Sequence, residues 1–108
     1  MQLQVKGRNL EVSDQIRQYA EDKLGKLDRL VNDPTRVELE LAVEKNPSIS
    51  DNQVAEATVW TKGPVLRARE SSGDMKASID QLVDKLERQV VKAKERLKDH
   101  HRKPGDRA

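Results

Sequence analysis

Six cations recur at helical spacing in two separate parts of this chain. Lys23, Lys26 and Arg29 lie three residues apart, and Lys85, Arg88 and Lys92 lie three and four apart. Residues at such steps share one face of a helix, so each triplet predicts a ridge of positive charge. The chemistry that suits such ridges is neutralisation of a run of phosphates, because nucleic-acid affinity comes largely from cations that release condensed counterions. Covalent chemistry has little support. The chain has no Cys, which excludes disulfides, thiol nucleophiles and thiolate metal sites. It contains no Gly-rich phosphate loop, nucleophile motif or metal-ligand spacing. Adjacent His100 and His101 near the end of the sequence read as solvated rather than as a metal site. The expectation is a binding protein and not an enzyme, with no catalytic residue, no metal and no cofactor.

The distribution of charge points the same way. The formal net charge is only +2, but residues 85–107 carry nine Lys or Arg against four Asp or Glu, a net of +5. Residues 1–84 then hold 12 basic and 15 acidic residues, a net of −3. Segregation of this kind suits a polyanionic partner engaged by one part of the surface. The plainer alternative is a solvated helix with a basic tail.

These ridges need elements to carry them. The longest is an amphipathic helix over Asp74 to Lys98, with Met75, Ile79, Leu82, Val83, Leu86, Val90, Ala93 and Leu97 at steps of three and four. Lys85, Arg88, Lys92, Lys94, Arg96 and Lys98 lie on its other face, and Ser72 or Asp74 is placed to cap it. A first helix is expected from Asp14 to Val31, capped by Ser13, with Ile16, Tyr19, Ala20, Leu24, Leu27, Leu30 and Val31 as its apolar stripe. Gly25 weakens that helix by roughly 1 kcal/mol relative to Ala, and Asn32-Asp33-Pro34 ends it. Strands are expected at Gln2–Lys6, Arg36–Lys45, Gln53–Trp60 and Val65–Glu70, each with one apolar face.

The resulting order is β-α-β-β-β-α. A helix between the first two strands favours a parallel crossover, and the two short connections that follow favour antiparallel neighbours. At 108 residues the chain supports one core. The predicted fold is therefore α+β, a two-layer sandwich with a four-stranded sheet and two helices on one face. Side by side, the helices would bring Lys23, Lys26 and Arg29 near Lys85, Arg88 and Lys92. The opposite sheet face would present Glu38, Glu40, Glu44 and Glu56 and repel phosphate. Trp60 sits there with Arg67 and Arg69, as a stacked surface patch or as a contact for a protein partner. With so few aromatics, backbone and shape recognition of folded RNA fits better than base stacking. No run approaches the roughly 18 apolar residues of a membrane span, and the N-terminus lacks the apolar core of a signal peptide; the expected location is the cytoplasm.

Several blocks resemble the ribosome hibernation promoting factor family, which includes ribosome-associated inhibitor A. They are Val54-Ala55-Glu56-Ala57-Thr58-Val59, Gly73-Asp74-Met75, and the run from Ala77-Ser78-Ile79-Asp80 through Gln81-Leu82-Val83-Asp84-Lys85-Leu86-Glu87-Arg88-Gln89. The opening Val5-Lys6-Gly7-Arg8-Asn9 is similar too. The resemblance covers about Met1 to Lys98. It implies the same β-α-β-β-β-α fold, and a domain that binds the small ribosomal subunit at the A- and P-site channel for messenger and transfer RNA. Contacts to ribosomal RNA phosphates would then block translation sterically, under stress or in stationary phase. It implies rRNA contacts at Lys23, Lys26, Arg29, Lys85, Arg88 and Lys92. Arg96, with Lys94 and Lys98, extends the second ridge toward the end of its helix. Lys76 stands where the family often has Tyr, and adds a phosphate contact instead of an aromatic one.

On that reading residues 1–98 are the ribosome-binding domain and 99–108 a basic flexible tail or the start of a linker. The family has short forms, and long forms with a C-terminal domain that pairs ribosomes, and the chain is expected to be one or the N-terminal part of the other. Two rivals stand beside this reading. One is a general double-stranded RNA-binding domain, whose α-β-β-β-α order is close. The other is a protein-interaction module modulating a transcription factor through the Trp60 face.

Overall fold

In a computed structural model of the protein, residues 2–27, 36–44 and 50–101 are described, without the side chains of 94 and 96–101. Four strands, β1 (Gln2–Arg8), β2 (Arg36–Val43), β3 (Gln53–Trp60) and β4 (Val65–Ser72), form one sheet in the order β1-β2-β3-β4. β1 is parallel to β2, while the β2–β3 and β3–β4 pairs are antiparallel. Helices α1 (Asp14–Leu24) and α2 (Met75–His101) pack on one face. This is the α+β two-layer arrangement that the periodicities predict.

The core follows from alternation. Val37, Leu39 and Leu41 of β2 and Val59 of β3 are fully buried, and they meet Leu24, Leu27, Ile79, Leu82 and Leu86 from the helical side. Under α2 the inward residues of β3 and β4 include Ala55, Ala57 and Ala68. Their small side chains leave room for the helix to approach the sheet. Truncating a fully buried Leu such as Leu86 in a core of this kind costs about 2–5 kcal/mol.

Caps set where the helices begin. Ser13 Oγ accepts the Ile16 N–H at 3.2 Å, the expected N-cap of α1. At α2 the capping residue is Asp74, whose Oδ2 accepts the Ala77 N–H at 3.1 Å. Ser72 instead accepts the Asp74 N–H and bonds the Ser78 hydroxyl at 2.7 Å. Ser78 is fully buried, and its hydroxyl donates to the Gln53 carbonyl at 2.6 Å, so the start of α2 is tied to the start of β3.

The first helix is shorter than its apolar stripe suggests. Regular α1 stops at Leu24, with a turn at Gly25 and Lys26 where the Lys26 N–H reaches the Lys23 carbonyl. Leu27 remains fully buried after that turn, so the stripe serves the core although the helix does not run straight through it. Leu30 and Val31 lie outside the described residues. The strand expected to reach Lys45 ends at Val43, and α2 continues to His101, beyond the expected fraying near Asp99.

Candidate nucleic-acid interface

α2 presents two flanks of opposite character. At about 100° per residue, Asp80, Asp84 and Glu87 fall on one side of the helix back and Lys85 and Lys92 on the other, with Arg88 between them. Contacts fix which flank faces which neighbour. Asp80 Oδ1 lies 3.7 Å from Lys23 Nζ and accepts the Tyr19 hydroxyl at 2.6 Å, so the acidic flank faces α1. Lys85 Nζ lies 3.5 Å from Glu70 Oε1, and Gln89 Nε2 donates to the Arg67 carbonyl at 3.0 Å, so the basic flank faces β4.

This arrangement separates two of the cations expected to lie together. Lys23 does not adjoin Lys85: Lys23 pairs with Asp80 of α2, while Lys85 lies about 140° from Asp80 around the helix axis and pairs with Glu70 of β4. The reason is the angular position of the core. α2 buries Met75, Ile79, Leu82, Val83, Leu86 and Val90, and with that stripe inward, Lys85 is turned away from α1.

A smaller cluster forms between the helices. Tyr19 lies at its centre, with Lys23 Nζ 5.5 Å and Lys76 Nζ 5.4 Å from the ring centroid. Ammonium groups at this range are attracted by the face of the ring. The Tyr19 phenol is pushed up to about 12, first by its hydrogen bond to Asp80, then by burial and by the negative charges of Asp80 and Asp74. Lys76 therefore joins an aromatic after all, but Tyr19 of α1 supplies it. Lys26 is exposed just beyond the end of α1. Arg29 lies outside the described residues, and Arg96 is on α2 with its side chain outside them. Among the described residues, Lys26, Arg88 and Lys92 have no acidic partner.

The outer face of the sheet is not the acidic surface expected. The strand register lines up Lys6, Glu40, Glu56 and Arg69 in one row and Gln4, Glu38, Thr58 and Arg67 in the next. Arg8 Nε lies 3.3 Å from Glu40 Oε1, Arg69 pairs with Glu44, and Arg36 pairs with Glu38. The central strands supply the glutamates and the edge strands supply most of the cations, an arrangement visible only once pairing is known. Trp60 belongs to the row of Gln2, Arg36 and Val65, and the cation over its ring is Arg36, at 5.2 Å, in place of the expected Arg67 or Arg69. Arg67 and Arg69 instead line a groove at the β4 edge with Lys85, Glu56 and Thr58.

Among the described residues no group of acidic or His side chains is gathered to hold a metal, and no helix is long and apolar enough to cross a membrane.

Residues 3–98 match the family model described as sigma 54 modulation protein / S30EA ribosomal protein. The chain is 42% identical over 104 residues to a ribosome hibernation promotion factor of Lactococcus lactis subsp. cremoris, a match covering 93% of this chain and 51% of the relative. It is 40% identical over 106 residues to the protein of that name from Staphylococcus aureus, covering 98% and 55%. The chain thus spans about half the length of the curated relatives it matches. Among solved structures, the N-terminal domain of Thermus thermophilus Protein Y superposes with a TM-score of 0.72 at 36% identity, over 83% of this chain and 96% of that one. A ribosomal subunit interface protein from Coxiella burnetii gives 0.75 at 24% identity, over 87% and 98%, a likeness of fold.

Proposed function

The chain belongs to the sigma 54 modulation protein / S30EA ribosomal protein family, and on that premise we propose that it is a non-enzymatic ribosome hibernation factor. It binds the small ribosomal subunit through ribosomal RNA phosphates and inhibits translation by occupying the A- and P-site path of messenger and transfer RNA. The observation that carries the RNA contact is the basic flank of α2, where Arg88 and Lys92 have no acidic partner among the described residues and lie beside Lys85. Cations left without carboxylates are available to phosphate, and the counterions they displace drive association. The name shared by the relatives supports the hibernation role.

Lys85, Arg88 and Lys92 are the principal contacts in this proposal. Lys76 and the half-buried Lys23, which share the Tyr19 ring, form a second cluster at the α1 side, and Lys26 is exposed just beyond the end of α1. Arg29 and Arg96 enter by their sequence positions alone.

The test is sedimentation with vacant small subunits across a salt series, with plain RNA duplex as competitor. About six phosphate contacts give a log–log slope near −4 to −5. Arg88→Glu with Lys92→Glu should abolish binding while the fold persists. Normal binding by that variant would rule out the α2 flank as the site. Equal competition by duplex would instead identify a general double-stranded RNA-binding domain.

A further inference from the structure

The basic flank of α2 does not stop at the helix. Gln89, which lies among Lys85, Arg88 and Lys92 in sequence, donates its side-chain amide to the backbone of Arg67 in β4. β4 is an edge strand, so no further strand separates its outer face from the flank of α2. Arg67, Arg69 and Lys85 line one groove there, with the Thr58 hydroxyl and Glu56 at its wall. We propose that this groove is a second seat for the RNA sugar–phosphate backbone, continuing the α2 track over the β4 edge onto the outer face of the sheet. The inference rests on the RNA-binding reading above and deepens it: from the α2 flank the RNA backbone also turns around β4.

Three observations support this path. Arg67 has no acidic partner among the described residues. The neighbouring cations do have partners, Glu44 for Arg69 and Glu70 for Lys85, but these side chains are partly exposed, and such pairs are weak in water. A phosphate entering the groove can replace either carboxylate. On the other side of α2, Asp80, Asp84 and Glu87 oppose an approaching backbone. Like charges at that flank disfavour a polyanion.

The chemistry of the groove selects a backbone and not bases. Two guanidinium groups and an ammonium group recognise phosphate, and a hydroxyl such as that of Thr58 commonly contacts phosphate or sugar. Among the described residues no aromatic ring lines the groove to stack a base. The ligand is therefore an RNA backbone of any sequence with the right curvature.

The experiment compares the full chain with Arg67→Gln/Arg69→Gln and with Arg88→Gln/Lys92→Gln, all binding purified small ribosomal subunits over a salt series. Both groove side chains are exposed, and circular dichroism checks that each variant keeps its fold. If the groove seats backbone, the Arg67/Arg69 variant loses about tenfold in affinity and its salt slope falls by about 1 to 2. Arg67→Lys/Arg69→Lys then retains most of the slope. If the Arg88/Lys92 variant weakens while the Arg67/Arg69 variant binds as the parent does, with an unchanged slope, the groove proposal is overturned and the RNA-binding reading stands. If the parent chain does not bind, both fail together. A Thr58→Cys variant gives a further readout, because the chain has no other Cys. An iron chelate tethered there and driven with ascorbate and peroxide should cleave ribosomal RNA beside the groove, whereas bound protein that gives no RNA cleavage from that position would overturn the proposal.

Discussion

The Tyr19 hydroxyl donates to Asp80 Oδ1 at 2.6 Å across the interface between α1 and α2. This single bond joins residues 61 positions apart, and Lys23 and Lys76 both lie within 5.5 Å of the same ring's centroid.

That bond sets a pH response. Tyr19 is the only tyrosine, so ultraviolet titration of tyrosinate reports it alone. Its phenol should ionise near 12 in the folded protein instead of near 10. Since the folded value lies above the unfolded one, the contribution to stability is complete below about pH 10 and is lost as pH rises toward 12. Asp80→Asn should bring the titration back toward the ordinary phenol value. A titration near 10 in the parent chain would show that the bond does not form.

Ser78 offers a test of the sheet–helix tie. Its buried hydroxyl donates to the Gln53 carbonyl at 2.6 Å. Ser78→Ala leaves the carbonyl without that donor and should cost about 1–3 kcal/mol, read as a lower urea midpoint with an unchanged m value. A midpoint equal to that of the parent would mean that the carbonyl is satisfied in another way.

Gly7 is a steric test. A Cβ built there would stand 2.0 Å from the Leu10 carbonyl oxygen and 3.1 Å from Val12 Cγ2. The chain returns over β1 at this point, with Asn9 at a φ of 56°. The obstructing atom is backbone, so Gly7→Ala must shift the turn and should cost about 1–3 kcal/mol. Gly63→Ala is the control, since its nearest neighbour is Thr61 Oγ1 at 3.8 Å; it should change stability by less than about 0.5 kcal/mol.

The two basic regions make different predictions for binding. If the chain binds the small subunit as proposed, Arg88→Gln and Lys92→Gln should each reduce the salt slope of that binding by about 1. Lys23→Gln should reduce it less, because Lys23 already faces Asp80 at 3.7 Å. A larger effect from Lys23 than from Arg88 would place the main contact on α1.

Much of this molecule is determined by period alone. Alternation in Val37-Glu38-Leu39-Glu40-Leu41 makes a half-buried strand, and the three-and-four spacing of Ile79, Leu82, Val83 and Leu86 makes a helix with one buried face. Those local patterns, with Ser13 and Asp74 as caps and a helix between the first two strands, are sufficient for the element order and the two layers. Periodicity also puts Lys85, Arg88 and Lys92 on the exposed side of α2.

Tertiary structure decided what those cations face. The phase of the buried stripe turns Lys85 toward Glu70 of β4 and leaves Asp80 for Lys23 and Tyr19. Strand register decided that the glutamates of β2 and β3 share rows with Lys6, Arg67 and Arg69, and that Arg36 lies over Trp60. Both are relations between segments far apart in sequence. A single segment's spacing fixes which side of an element is buried, but its exposed charges gain partners only when another element is docked at a definite angle and register.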